Sequence, residues 1–188
     1  MKNAFLPIYA WIFLFFFVLS SCSNREERRI LIVHSYEESY VGYPDFNRLI
    51  DKEFRRNGID ADIRIVYLDC EAFQEEPELR HMYHLLDSAS SGWRPEVILV
   101  NDDQAAYSLF KCRHPLVKET PVVFGGVNYP NWKLLKEYPN VTGFHDRMDI
   151  MKNIRLGAKL FGEEVEFFTV LDLSLIHISE PTRPRLIS

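Results

Sequence analysis

An α/β fold built on a doubly wound parallel sheet is predicted for the middle of this chain, on three observations. Four short apolar runs rich in Ile and Val are spaced through residues 29–127, and each is too short for a helix. Segments with apolar residues at helical spacing separate them. Each run also ends in small, polar or acidic residues. Runs of this kind suit strands buried on both faces, and regular alternation with helices implies right-handed βαβ crossovers.

Taken in order, Arg29 to His34 is the first strand, followed by a polar, tyrosine-rich loop. Pro44 then suits a helical N1 position, Phe46, Leu49, Ile50 and Phe54 form one apolar stripe, and Gly58 supplies the stop. Asp62 to Leu68 is the second strand, ending at Asp69-Cys70-Glu71. Pro77 opens a second helix with Leu79, Met82, Tyr83 and Leu86 on one face. Val97 to Val100 is the third strand and runs into Asn101-Asp102-Asp103, where Asp103 is the expected N-cap of a helix containing Ala105, Ala106, Leu109 and Phe110. Pro121 to Val127 is the fourth strand, with a short helix around Leu134 and Leu135 after it. Residues 29–140 make up this expected lobe. Residues 141–172 read as a hinge and the start of a second lobe: an extended piece at 140–144, a helix over 148–161 carrying Met151, Ile154 and Ala158, and a strand at 166–171.

The chain has 188 residues, 47% apolar and 26% charged, which is a globular mixture with room for one domain. Its three cysteines exclude a disulfide scaffold. The formal charge of -5 argues against nucleic acid as a partner. Setting aside Lys2, Arg183, Arg185 and Glu180 leaves 19 basic and 26 acidic residues over 23–172, a net -7.

Both ends read as something other than fold. Lys2, the apolar run from Ala4 to Leu19 and then Leu19-Ser20-Ser21-Cys22 have the plan of a signal peptide over 1–22, and the tetrapeptide resembles a bacterial lipobox. That likeness implies lipidation at Cys22 and attachment to the membrane through the N-terminus, facing the periplasm; an uncleaved N-terminal anchor is the alternative. Residues 23–28 then form a solvated tether. From Leu173 onward, Leu-Ser-Leu-Ile-His-Ile-Ser-Glu-Pro-Thr-Arg resembles a translated transposase-type sequencing adapter, so 173–188 is expected to carry no structure and the natural chain to break off near Asp172.

Ligands of open parallel sheets bind beyond the carboxyl ends of the strands, near the switch point in strand order. The candidate ligand-binding residues are those that follow the strands: Ser35, Tyr36, Asp69, Asn101, Asp102, Gly125, Gly126 and Asn128. Glycines there would admit a ligand or a neighbouring backbone. Tyr40, Tyr43, Tyr129 and Trp132 surround the same edge and suit stacking on an aromatic or sugar-like ligand, or the lining of a cleft. Catalytic constellations are missing. His34 and Ser35 are adjacent on a strand and point to opposite faces, and neither a G-x-S-x-G turn nor a phosphate loop is present. His81 and His84 share a helix face without a third metal ligand. No enzyme activity, metal or cofactor is expected. Cys70 and Cys112 lie at opposite edges of the sheet and are expected to stay unpaired.

The runs Ile30 to Tyr36, Val97 to Asp103, Pro121 to Asn128 and Asn140-Val141-Thr142-Gly143 resemble the ABC-transporter substrate-binding-protein-like family. The wording His-Ser-Tyr-Glu-Glu-Ser-Tyr with Tyr-Pro-Asp-Phe-Asn-Arg-Leu-Ile is most similar to the extracytoplasmic sensor region of Bacteroidetes histidine kinases, hybrid sensors included. The resemblance covers about 29–172 and implies the first lobe, and the start of the second, of a type I periplasmic-binding-protein fold. It also implies a small organic ligand, an aromatic amino acid among the candidates. Two functions follow from it: the ligand-sensing part of a two-component sensor kinase, or a lipid-anchored substrate-binding protein of a transporter.

Overall fold

The computed structural model describes residues 27–146 and 149–162. The expectations for the signal peptide, Cys22, residues 23–26 of the tether, the strand at 166–171 and the tail from 173 lie outside the described residues. Five strands form one parallel sheet: β1 (Arg28–His34), β2 (Ala61–Tyr67), β3 (Val97–Asn101), β4 (Val122–Val127) and β5 (Val141–His145). Their spatial order is β2-β1-β3-β4-β5. The helices are α1 (Tyr43–Arg56), α2 (Glu75–Ser90), α3 (Asp103–Lys111), α4 (Pro115–Glu119), α5 (Trp132–Leu135) and α6 (Ile150–Phe161), with a 3-10 turn at Cys70–Ala72. The protein is thus α/β, with an all-parallel sheet flanked by helices.

Two expected boundaries move. Arg28 already pairs with Ala61, so the tether gives way to strand one residue early. Residues 141–145, read as a hinge toward a second lobe, pair in parallel with β4 and complete the same sheet. Gly143 permits this, because a Cβ there would run into the Phe124 carbonyl and ring. α4 was not read from sequence; Pro115 starts it and the His114 ring caps it by accepting the Leu116 N–H at 3.1 Å.

The two sheet faces are packed differently. Leu31, Val33, Ile98, Val100, Val122 and Phe124 alternate onto one face and are all buried. They pack with Met82, Leu86 and Ala89 of α2, Ala105, Ala106, Leu109 and Phe110 of α3, and Leu134 of α5 in one apolar cluster. The buried stripe of α2 is Glu78, Met82, Leu86 and Ala89, in place of the expected Leu79 and Tyr83, which are only half-covered or exposed. Glu78 is tolerated among apolar neighbours because Gln104 Nε2 and Ser108 Oγ of α3 donate to its carboxylate. On the other face, Ile30 and Ile32 of β1 are buried, whereas Ile63, Ile65, Val97, Leu99 and Val123 remain half-covered.

α1 lies on that second face, against β1 and β2, through Tyr43 and Phe46. Its expected stripe is correspondingly loose, with Phe46 36% and Leu49 49% exposed; Tyr43 is the buried residue of the helix. The stop at its C-terminus is as the sequence suggests. Gly58 takes φ 70°, its N–H bonds the Arg55 carbonyl, and the Ile59 N–H reaches back to the Phe54 carbonyl at 2.9 Å, which is a Schellman motif.

Candidate functional site

In the order β2-β1-β3-β4-β5 the direction of winding reverses between β1 and β3, and parallel sheets leave a crevice beyond the carboxyl ends there. Register places Tyr67, His34, Asn101 and Gly125 side by side as the last layer of the sheet on the α1 side. Ser35, Asp69, Asp102 and Gly126 stand at or just past the same edge. The sequence-derived candidates therefore do converge on one rim, but their side chains divide into two groups.

Ser35 and Asn128 turn inward. The Ser35 side chain is fully buried; its hydroxyl donates to the Asn101 carbonyl at 3.3 Å and accepts the Ala105 N–H at 2.8 Å. Alternation explains this, since Ser35 shares the closed face with Leu31 and Val33. Its placement in a ligand cleft is corrected to an anchor for the start of α3. Asn128 Nδ2 donates to Asp103 Oδ2 at 2.9 Å, so that amide is likewise engaged inside.

Asp103 is not the N-cap. It is the first residue of α3, buried, and its carboxylate accepts the backbone N–H groups of Asn128 and Tyr129 at 3.0 and 2.8 Å. The exits of β3 and β4 are clamped together by it. The cap is Asp102, whose Oδ1 accepts the Asp103 N–H at 2.6 Å. Two adjacent aspartates made the one-residue misplacement easy, because either satisfies the cap rule.

Asp102 adopts φ 82° and ψ 162°, a region nearly reserved for glycine, which costs on the order of 1–3 kcal/mol. Its N–H is held by the Gly125 carbonyl at 2.9 Å. Burial pushes its carboxyl pKa up, and the neighbouring Asp103 charge adds to the rise. Gly126 faces it at φ 67°, and a Cβ there would stand a tight 3.0 Å from Asn101 Oδ1. Gly125, by contrast, opens onto free space. Asp69 is left-handed at φ 51° and begins the 3-10 turn, which Cys70 ties to β1 by donating its N–H to the Ser35 carbonyl at 2.9 Å. The Cys70 thiol is pushed up to about 12, by burial first and the Glu78 charge second, so it stays a thiol. Cys70 and Cys112 are both free.

Aromatic rings border this floor on two sides. Tyr36 stacks on Tyr40 with centroids 4.8 Å apart, and its N–H donates to the Tyr43 hydroxyl at 2.9 Å. Burial raises the pKa of Tyr36, with Asp102 next in effect, so the phenol remains neutral. Beyond β4, Trp132 is half-exposed and meets the His145 ring edge-on at 5.3 Å. A separate apolar depression between α3, β4 and α5 is lined by Ala106, Phe110, Val127 and Leu134; the Asp103 carboxylate at its margin is already saturated. Among the described residues no group of three or more His, Cys, Asp or Glu is placed to hold a metal, and His81 stacks on Phe73.

His34 and Asn47 belong to the site's supporting layer and were missed as such. The only sequence signal was a histidine ending an otherwise aliphatic strand. Comparison of the chain with family models, curated proteins and solved structures returns no match.

Proposed function

We propose that residues 29–172 belong to the extracytoplasmic ligand-sensing part of a membrane sensor histidine kinase, with the strand-exit rim as one wall of its ligand cleft. The observation that carries the reading is Asp102. A non-glycine residue held at positive φ, with a desolvated carboxylate, sits at the β1/β3 switch point between two aromatic borders. Strain of this kind persists where a side chain is needed at a position its backbone disfavours. The role is binding and not catalysis: His34 and Ser35 face opposite sides of the sheet, and the Ser35 hydroxyl is committed to the backbone. A small organic ligand with an aromatic ring, such as an aromatic amino acid, matches Tyr36, Tyr40 and Trp132 at the borders.

Titrating the full chain with L-tyrosine and L-phenylalanine, followed by NMR, tests this. Shift changes are expected at Tyr36, Asn101, Asp102 and Gly125, with affinity no better than the millimolar range, roughly -4 kcal/mol, for a single wall. Asp102→Ala should abolish them with the fold intact. Unperturbed rim resonances, or changes confined to the apolar depression beneath α5, would count against the site.

Leu19-Ser20-Ser21-Cys22 favours a second reading, a lipid-anchored substrate-binding protein of a transporter. A diacyl or triacyl mass on a peptide starting at Cys22 would support it, and recovery of an intact Met1 peptide would remove that support.

A further inference from the structure

The imidazole of His34 is fully buried in the layer beneath the rim. Tyr43 stacks on it at 3.9 Å between centroids, Tyr67 lies at 5.5 Å, and the Phe46 edge at 5.6 Å. Both ring nitrogens have partners: Nε2 is 2.8 Å from Asn47 Oδ1, and Nδ1 is 3.4 Å from Asn101 Nδ2. A carboxamide oxygen only accepts, so the proton sits on Nε2, and the Nδ1 lone pair is left to accept from Asn101. With its NH2 given to His34, Asn101 turns Oδ1 toward the exit, 3.0 Å from where a Gly126 Cβ would stand. That oxygen accepts no hydrogen bond from the described residues.

We propose that His34 is a positioning residue: it holds the Asn101 carboxamide with its oxygen toward the rim, so that the site offers a ligand a hydrogen-bond acceptor there, and protonation of the ring reverses the carboxamide. The inference deepens, and rests on, the reading of the rim as a ligand site. An imidazolium donates from both nitrogens, so Nδ1–H would confront the Asn101 NH2 donor to donor. Half a turn about Cβ–Cγ restores the bond with oxygen inward and NH2 outward. A ligand amine or hydroxyl hydrogen suits the first state, and a ligand carbonyl or carboxylate oxygen suits the second.

Among the described residues, the groups facing the ring are Tyr43, Phe46 and Asn47 from α1, Tyr67 from β2 and Asn101 from β3. Of these only the tyrosines titrate; burial raises both their pKa values, so they stay neutral. The imidazolium gains no counter-ion from them, and burial lowers the pKa of His34 despite the Asn47 hydrogen bond. Reversal therefore belongs on the acid side of the ordinary imidazole range.

A pH titration of the isotope-labelled full chain by NMR reads both partners directly. His34 should be the Nε2–H tautomer when neutral, and the Asn101 side-chain NH2 resonances should move with the same midpoint as the ring. An Nδ1–H tautomer, Asn101 resonances that ignore the His34 transition, or a ring that stays neutral until acid unfolding would each overturn the proposal. Replacing a fully buried ring risks the fold, so the second arm leaves it in place. Asn47→Asp should raise the His34 midpoint and carry the Asn101 transition to higher pH with it; a raised midpoint without Asn101 following would also overturn it. Neither measurement involves a ligand. If aromatic amino acids leave the rim unperturbed while Asn101 follows His34, the site reading fails and the coupling stands; ligand shifts with an indifferent Asn101 mean the reverse.

Discussion

The two faces of the sheet differ in how completely the described residues cover them. On the face under α2, α3 and α5, the apolar side chains of β1, β3 and β4 are all buried, and the two buried carboxylates, Glu78 and Asp103, are matched by donors. On the α1 face the strands carry equally apolar side chains, yet Leu99 and Val123 are half-covered and α1 leaves Leu49 exposed. α6 buries no residue at all, and Phe161 is 80% exposed. Stability and the rim's polar layer are thus served by different halves of the molecule. Ser35 and Asp103 belong to the closed half and fix the backbone. His34 and Asn101 belong to the open half and set what the rim presents.

Two large-to-small substitutions read the two faces separately. Phe110→Ala, on the closed face, should lower unfolding free energy by about 3–5 kcal/mol. Leu99→Ala, on the half-covered face, should cost only about 1 kcal/mol, since a partly covered side chain forfeits part of its transfer energy. Urea denaturation of both chains decides it, and equal losses would mean that the second face is as tightly packed as the first.

A smaller effect is read through pH. The folded pKa of His34 lies below its unfolded value near 6.5, so the unfolded chain binds the proton first as pH falls. The stability associated with the neutral ring is complete above about 6.5 and is lost progressively as pH drops toward the folded value. Thermal midpoints across this window should fall in the parent chain and fall less in His34→Gln. Identical pH profiles would remove His34 from the acid response.

The smallest expected change is a gain. Asp102→Gly relieves a backbone that glycine adopts freely and loses only a few tenths of a kcal/mol of capping, so the chain should be stabilised by about 0.5–1 kcal/mol. Loss of stability on calorimetry would show that the Asp102 carboxylate, and not a ligand requirement, keeps that residue in place.

The strands were legible because apolar runs bounded by turn residues have few alternatives, and α3 because Ala105, Ala106, Leu109 and Phe110 repeat at helical spacing. Which face each strand residue joins was harder to read. β1 is apolar on both sides, so nothing in Ile-Leu-Ile-Val announces that one face is closed and the other half-covered. The pairing of β5 was unreadable for another reason: Val-Thr-Gly-Phe-His is short, and its parallel partner is about twenty residues away across a connection. At the rim, residue types were enough to find the strand exits. They could not separate Ser35, which is fully buried, from Tyr36, which is only partly covered, nor decide between Asp102 and Asp103 as the cap.

Position 143 has a consequence for how this chain can vary. Its backbone runs so close to Phe124 that a single methyl would collide with both carbonyl and ring. Its intolerance is therefore imposed by the neighbouring strand and not by its own dihedral angles. In a saturation library, codon 143 should behave like the interior of the protein although it contributes no side chain to it. A smaller residue at 124 would remove the ring but leave the backbone carbonyl of that residue in place, so no change at 124 restores tolerance, and a lineage that keeps the fifth strand in the sheet keeps glycine at 143.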